Sequence, residues 1–334
     1  MKRIGMSEIA EKLGISKVSV SKALSDKEGV SEELRVRVKE VAENMGYRMN
    51  IAARSLKTDR QYNIGILIAE KYVLDQEAYY FSVCGEIIKK LDTIGTSGIM
   101  EIIKEETEEA GIMPRVYNEK KVDGIIVLGQ LSIPYLRLLE NISIPLIYFD
   151  FYLNKSDVNS IQADNFYSGY RLTEYLIENG HREIAFVGSI NATTSIQDRY
   201  LGYYKALITK EIELDKSIII EDRNEHGILI DIEVPKVLPS AFVCNCDRVA
   251  FTLMEKLKSM GVEIPRDCSV VGFDNSLFSN ISNPKITTVD HNIEKMVSTA
   301  VKVINKMIDN PKKVYDRILI PGTIIYKDSV EKIN

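Results

Sequence analysis

The chain has 334 residues, of which 45% are hydrophobic and 27% charged. That is too long for one ordinary domain and apolar enough for two or three cores. Four cysteines (Cys84, Cys244, Cys246, Cys268) and three histidines are scattered without a Cys-x-x-Cys or His-x-x-x-His pair. This argues against a disulfide framework or metal cluster and for a reducing, cytoplasmic setting. Cys244 and Cys246 would share one face of a strand, where buried cysteine is common, so no metal is expected there. Lys2 and Arg3 precede no apolar run, so neither a signal peptide nor a membrane span is expected. The net charge of −5 conceals an asymmetry: residues 1–60 hold 13 Lys+Arg against 9 Asp+Glu, and the remainder 30 against 39. A basic head on an acidic body suits a head that meets phosphates.

Residues Ile9 to Leu24 carry two short apolar-periodic segments with Gly14 between them, the pattern of a helix-turn-helix. The first helix is expected from Ser7 to Leu13. Gly14 takes the turn, where a residue without Cβ is cheapest, and Ser16 is placed to cap the second helix. Val20, Ala23 and Leu24 then share one side of that helix, with Val18 and Lys22 opposite and Lys17 and Ser21 nearby. An exposed valine between lysines is odd for a plain surface helix and fits one that meets base edges and thymine methyls. A third helix is expected from Ser31 to about Met45. The alternative is a small three-helix domain that binds another protein.

Residues 47–58, YRMNIAARSLKT, are helix-capable and basic, and they leave Leu56 without an apolar partner. Such a segment is suited to folding against DNA, two copies entering a minor groove with Leu56 wedged at a base step. A flexible tether is the alternative. From Ile9 to Lys57 the chain resembles, without a gap, the DNA-binding head and hinge of the lactose-repressor (LacI) family of bacterial transcription regulators. The resemblance implies DNA contacts from Ser16, Lys17, Val18, Ser19, Ser21, Lys22, Ser31, Tyr47, Asn50, Ala53, Arg54 and Leu56. Lys22 stands where that family usually has Arg, Ser25 where it has Asn, and Met49 where it has Pro. The first change alters base discrimination and the last leaves the hinge less pre-set.

Strand–helix alternation starts at Ile64. Residues 64–69, 98–103, 124–129 and 145–150 read as strands of a first run, with a helix over 81–91 after the first of them. After 158–164, a second run follows at 184–188, 217–222, 241–247 and 268–274, with helices from Tyr167 to about Asn179 and through Leu207. Apolar strands alternating with helices indicate parallel sheets covered on both faces, and ten or so strands in two runs indicate two doubly wound subdomains. The stretch 222–240 is short for an intervening helix. No phosphate-binding glycine motif and no Ser-His-Asp spacing stands out, so an enzyme is not supported.

Asp150, Asp164, Asp247 and Asp274 each terminate an apolar strand, at the carboxyl ends that form the ligand crevice of open parallel sheets. Carboxylates there accept hydrogen bonds from sugar hydroxyls, Arg199 offers a planar donor fork, and Tyr80 and Phe81 offer stacking faces. Gln130 joins this candidate effector set, and the resemblance to the lactose-repressor family's effector domain implies Asn165 as well. For any single Asp, a helix cap is the alternative.

The segments GHREIAFVG, DRYLGYYKAL, VCNCDRVAF and VVGFDN resemble the same family's effector domain, with Arg199 and Asp274 matching its ligand positions best. Cys246 takes a position that the family fills with Asn. The resemblance implies a small all-α helix-turn-helix head (1–48), a hinge (49–60) and an α/β periplasmic-binding-protein-like body (61–334) of two doubly wound parallel-sheet subdomains. The first would span about 61–161 and 291–320, the second about 162–290 and 321–334, with crossovers near 162, 290 and 321. The expected protein is a homodimeric, cytoplasmic, non-enzymatic regulator of operator DNA, controlled by a small sugar-like effector and needing no cofactor. A solute-binding protein without a DNA role, an enzyme on the same scaffold and an activator of the same architecture are the competing readings.

Overall fold

The structure, a computed structural model, describes residues 4–24, 28–47, 60–74, 78–153, 158–224 and 227–333. The chain divides into two compact units, Met1–Gln61 and Tyr62–Asn334. Among the described residues of the first are three helices: α1 (Met6–Leu13), α2 (Lys17–Leu24) and α3 (Glu32–Asn44). Gly14 ends α1 in the left-handed region, at φ +66°, and its N–H donates to the Ala10 and Glu11 carbonyls. The Ser16 hydroxyl accepts from the Ser19 N–H at 3.0 Å. The Ser31 hydroxyl accepts from the Leu34 N–H and caps α3. Ile9, Ala10, Val20, Ala23, Val38 and Ala42 form the core. Helices this short are marginal alone, so shared burial holds them.

The second unit contains two parallel sheets. The first has the order β11-β5-β4-β3-β1-β2, with β1 Asn63–Ala69, β2 Ser97–Ile103, β3 Gly124–Leu128, β4 Leu146–Phe149, β5 Ser160–Ala163 and β11 Arg317–Ile320. The second has the order β7-β6-β8-β9, with β6 Ile184–Val187, β7 Ile219–Ile220, β8 Ala241–Cys244 and β9 Ser269–Val271. Strands β10 (Thr288–Asp290) and β12 (Thr323–Ile325) pair antiparallel to each other. Alternate residues of β1 enter different cores: Ile64, Ile66 and Ile68 one, Leu67 and Ala69 the other. The second sheet does the same, Phe242 facing one core and Val243 the other. Burial on both faces explains why these strands are apolar throughout rather than alternating.

Five long helices cover the sheets: α4 (Ala78–Asp92), α5 (Asn165–Glu178), α6 (Thr194–Thr209), α7 (Asp247–Ser259) and α8 (Ile293–Asp309). Helix α8 lays Met296, Val297, Ala300, Val301, Ile304 and Met307 into the first lobe's core, at helical spacing. Helices α5 and α6 meet through glycine. A Cβ on Gly169 would sit 2.4 Å from the Arg199 carbonyl oxygen, and one on Gly202 would sit 2.1 Å from that of Phe166.

Two expectations fail here. The strand expected over 217–222 contains only Ile219–Ile220, because a 3₁₀ turn at Lys216–Ile218 precedes it. Asp215 fixes that turn by accepting from the Ser217 N–H and hydroxyl. Helix α4 starts at Ala78 rather than at Phe81. Among the described residues of 222–240 there is no helix. Instead Arg223 and Leu229 form an isolated bridge, and Ile232, Val234 and Leu238 pack against the second sheet.

Candidate nucleic-acid interface and ligand cleft

On α2, the buried residues Val20 and Ala23 face the head's core, while Val18 is 65% exposed. Ser16 and Lys17 are exposed beside it, and Ser19, Ser21 and Lys22 are half-buried. One helix thus has a core face and an accessible face that mixes an apolar side chain with hydroxyls and ammonium groups, the composition that base edges require. The Lys22 ammonium lies by the turn at Gly29, 2.7 Å from where a Cβ on that glycine would be. Ser31 is exposed at the start of α3. Tyr47 packs against the head's core, and burial raises its phenol. Asn50, Ala53, Arg54 and Leu56 lie outside the described residues.

In the body, a polar cluster forms at the carboxyl ends of the strands. Arg199 is only 6% exposed, yet its donors are taken. Its Nε donates to Asn165 Oδ1 at 2.8 Å and its Nη1 to the Asn245 carbonyl at 2.5 Å. Its Nη2 reaches Asp274 Oδ1 at 3.4 Å and lies 3.0 Å from His291 Nε2. The guanidinium stands 4.8 Å from the Phe273 ring centroid. His291 Nε2 is also 3.0 Å from Asp274 Oδ1. A ring nitrogen cannot donate to one neighbour and accept from the other, and donation to the carboxylate is the favourable assignment. Its Nδ1 is buried without a partner; it accepts on a neutral ring and donates on a protonated one.

The first lobe brings Asp150 from the end of β4. Its Oδ2 accepts from the Tyr80 hydroxyl at 2.9 Å, and its buried Oδ1 has no partner. Burial pushes the Asp150 carboxyl up, with Arg199 and His291 opposing. Burial also works against the Asp274 charge, but there Arg199 and His291 prevail and hold its carboxyl below the usual range. Gln130 takes part from the turn after β3: its side chain accepts from the Thr194 N–H and its carbonyl from the Tyr72 hydroxyl. A cavity of about 720 Å³ adjoins the cluster, lined by Tyr79, Cys246, Asp274, Ser276, Ile293 and others.

Three candidates have other places. Phe81 is 46% exposed on α4. Asp164 caps α5, its Oδ1 accepting from the Tyr167 N–H at 3.0 Å. Asp247 is fully buried beneath the cleft, where Thr288 and Ser276 donate to it. It braces the loop that carries Asp274 rather than facing a ligand. Tyr72, Tyr79 and His291 escaped the sequence reading. His291 directly follows β10, and a polar residue at a strand's carboxyl end was the available signal. Asp222 and Arg223 also escaped it. They pair at 2.7 Å, and Asn245 Nδ2 donates to Asp222.

A helix-turn-helix unit followed by a two-lobed α/β body with a polar cleft defines a DNA-binding regulator with a small-molecule binding body. Comparison with known proteins gives the family. Residues 5–50 match the family of bacterial regulatory proteins of lacI type, and residues 173–330 match a periplasmic binding protein-like domain. The HTH-type transcriptional regulator RegA of Clostridium acetobutylicum is 30% identical, over 97% of this chain and 98% of its own length. The HTH-type transcriptional repressor PurR of Histophilus somni is 26% identical, over 98% and 99%. Among solved structures, a CelR–cellobiose complex superposes with a TM-score of 0.70 at 21% identity, covering 98% of this chain and all of that one. A lac repressor dimer bound to operator and the anti-inducer ONPF gives 0.71 at 20% identity, covering 99% of this chain and all of that one. The chain belongs to the lacI family and is a DNA-binding transcriptional regulator. No described helix is long and apolar enough to cross a membrane.

Proposed function

We propose that this regulator is a repressor that binds a near-palindromic duplex as a homodimer in the cytoplasm, and that an uncharged, hydroxyl-rich small molecule of sugar type sets its affinity. One buried acceptor, Asp150 Oδ1, carries the ligand half of this reading. A buried unpaired acceptor costs about 1–3 kcal/mol, and a ligand that donates hydrogen bonds relieves that cost. Hydroxyls donate, whereas a phosphate or carboxylate only accepts. Arg199 and Arg223 already face carboxylates, at 3.4 and 2.7 Å, so an anionic ligand would have to compete for them.

The exposed face of α2 supports the DNA half, with Ser16, Lys17, Val18, Ser19, Ser21 and Lys22 contacting a major groove. Asn50, Ala53, Arg54 and Leu56 extend the contacts into the minor groove. One head makes few contacts, so specific binding at physiological salt calls for two. Repressors among the relatives, and a repressor dimer on its operator among the similar structures, support the same reading. The effector acts by its unequal affinity for two arrangements of the body and is released unchanged.

Thermal melting of the full chain with cellobiose, glucose and glucose 6-phosphate tests the ligand class. A ligand at 100 times its Kd stabilises the folded state by about 2.7 kcal/mol, which raises Tm by several degrees. The expected result is a rise with a neutral sugar and a smaller one with the phosphate. A larger rise with the phosphate contradicts the assignment.

A further inference from the structure

Asp198 and Arg199 are consecutive on α6 (Thr194–Thr209) but serve different neighbours. Arg199 enters the cleft. Asp198 leaves its own lobe and meets the first. Its Oδ1 accepts from the Tyr152 hydroxyl at 3.1 Å, and its Oδ2 accepts from Arg317 Nη2 at 2.9 Å. The Arg317 guanidinium also stacks over the Tyr152 ring, 3.7 Å from its centroid. Tyr152 follows β4 by three residues, two beyond Asp150, and Arg317 opens β11, an edge strand of the first sheet.

We propose that Tyr152, Asp198 and Arg317 form an interlobe clamp that favours the closed cleft, and that Asp198 is a positioning residue for Arg199. The same two segments supply both places. The end of β4 sends Asp150 to the ligand cluster and Tyr152 to the clamp, while α6 sends Arg199 to the cluster and Asp198 to the clamp. A shift of α6 relative to β4 therefore changes both together. Strand β11 continues into β12, which pairs with β10 beyond the first sheet, so Arg317 lies on one of the strands joining the lobes.

The clamp is balanced rather than tight. The Asp198 side chain is 11% exposed and that of Arg317 40%. Burial pushes the Asp198 carboxyl up, and Arg317 and Tyr152 only partly counter it. Opening returns the carboxylate to water while breaking two hydrogen bonds, so the two arrangements differ little in free energy. A contact of that kind sets a population without locking it.

The test needs no ligand, so its failure is separable from failure of the sugar assignment; the clamp rests on that reading only for its role in response. Donor and acceptor dyes at Lys302→Cys on α8 and Lys205→Cys on α6 report lobe separation in the full chain. The four native cysteines are buried, and excess unlabelled protein makes each pair report a single chain. Against the labelled parent, Arg317→Met and Asp198→Asn are expected to raise the open fraction roughly two- to fivefold. The double variant should open no further than the stronger single one. Raising salt from about 0.1 to about 0.5 M should open the parent and leave Arg317→Met unmoved. Unchanged distances in cooperatively melting variants overturn the clamp, as does an additive double variant. If Asp198→Asn does not fold, the same comparison between Tyr152→Phe and Arg317→Met decides it.

Discussion

Arg199 turns its guanidinium into the protein, towards an amide oxygen, a carbonyl, a carboxylate and an imidazole. A lysine carries the charge but not the planar fork, so Arg199→Lys leaves at least two of those acceptors unmet. The expected cost is about 3 kcal/mol, the lower end for breaking a buried pair, because the Asp274 contact is long. Urea melts of the body measure it. Sugar-induced thermal shifts should vanish while the affinity for duplex DNA without effector stays the same. Asp247 offers a second check, since burial, followed by the neighbouring Asp274, raises its carboxyl to about 7. A folded-state pKa above the unfolded one makes its contribution to stability greatest below about pH 4. That contribution is lost as pH rises through about 7. Carbon-13 NMR of labelled aspartate should show one carboxyl titrating near neutrality that disappears in Asp247→Asn. Titration of every aspartate near 4 contradicts the placement. Arg199 and Asp274 were legible in the sequence because they lie in family-like segments. Tyr79 was missed and Phe81 was misplaced because which face of α4 looks into the cleft depends on how the helix packs: Tyr79 lines the cavity, whereas Phe81 is 46% exposed.

The pairing of α5 with α6 places Arg199, and glycine permits it. Gly202 stands where a methyl group would fall 2.1 Å from the Phe166 carbonyl oxygen and 2.6 Å from the Tyr170 nitrogen. Both obstacles are backbone, so neither helix yields without moving. Gly202→Ala is therefore expected to destabilise the body by about 1–3 kcal/mol, despite alanine's better helix propensity, and to weaken effector binding by displacing Arg199. Chemical denaturation followed by circular dichroism checks the first expectation. A gain in stability would show that the helices separate without penalty. Periodicity alone located both helices but gave no sign of this close approach. The β7 region was misread for a related reason: three consecutive isoleucines read as a strand, but the Asp215 turn takes up the first of them.

At the scale of the chain, the charge asymmetry and the change from helical to strand–helix patterning near residue 60 mark the boundary between the two units. The assignment of strands to sheets was only partly readable. The family resemblance, not the local pattern, implies that 291–320 and so β11 return to the first lobe, while the pairing of β10 with β12 outside both large sheets has no local signal. Such pairings depend on register between distant segments, which local periodicity does not encode. The proposed function requires one polypeptide to join a groove-reading head to a sugar-responsive body. Selection of the full chain against randomised duplexes, repeated with and without the sugar that raises its Tm, tests this most directly. Enrichment of a two-fold symmetric site that persists at about 0.15 M salt is expected, with its recovery changed by the sugar in wild type but not in Arg199→Lys. Recovery of no preferred duplex, or of a site indifferent to every sugar that binds, would contradict it.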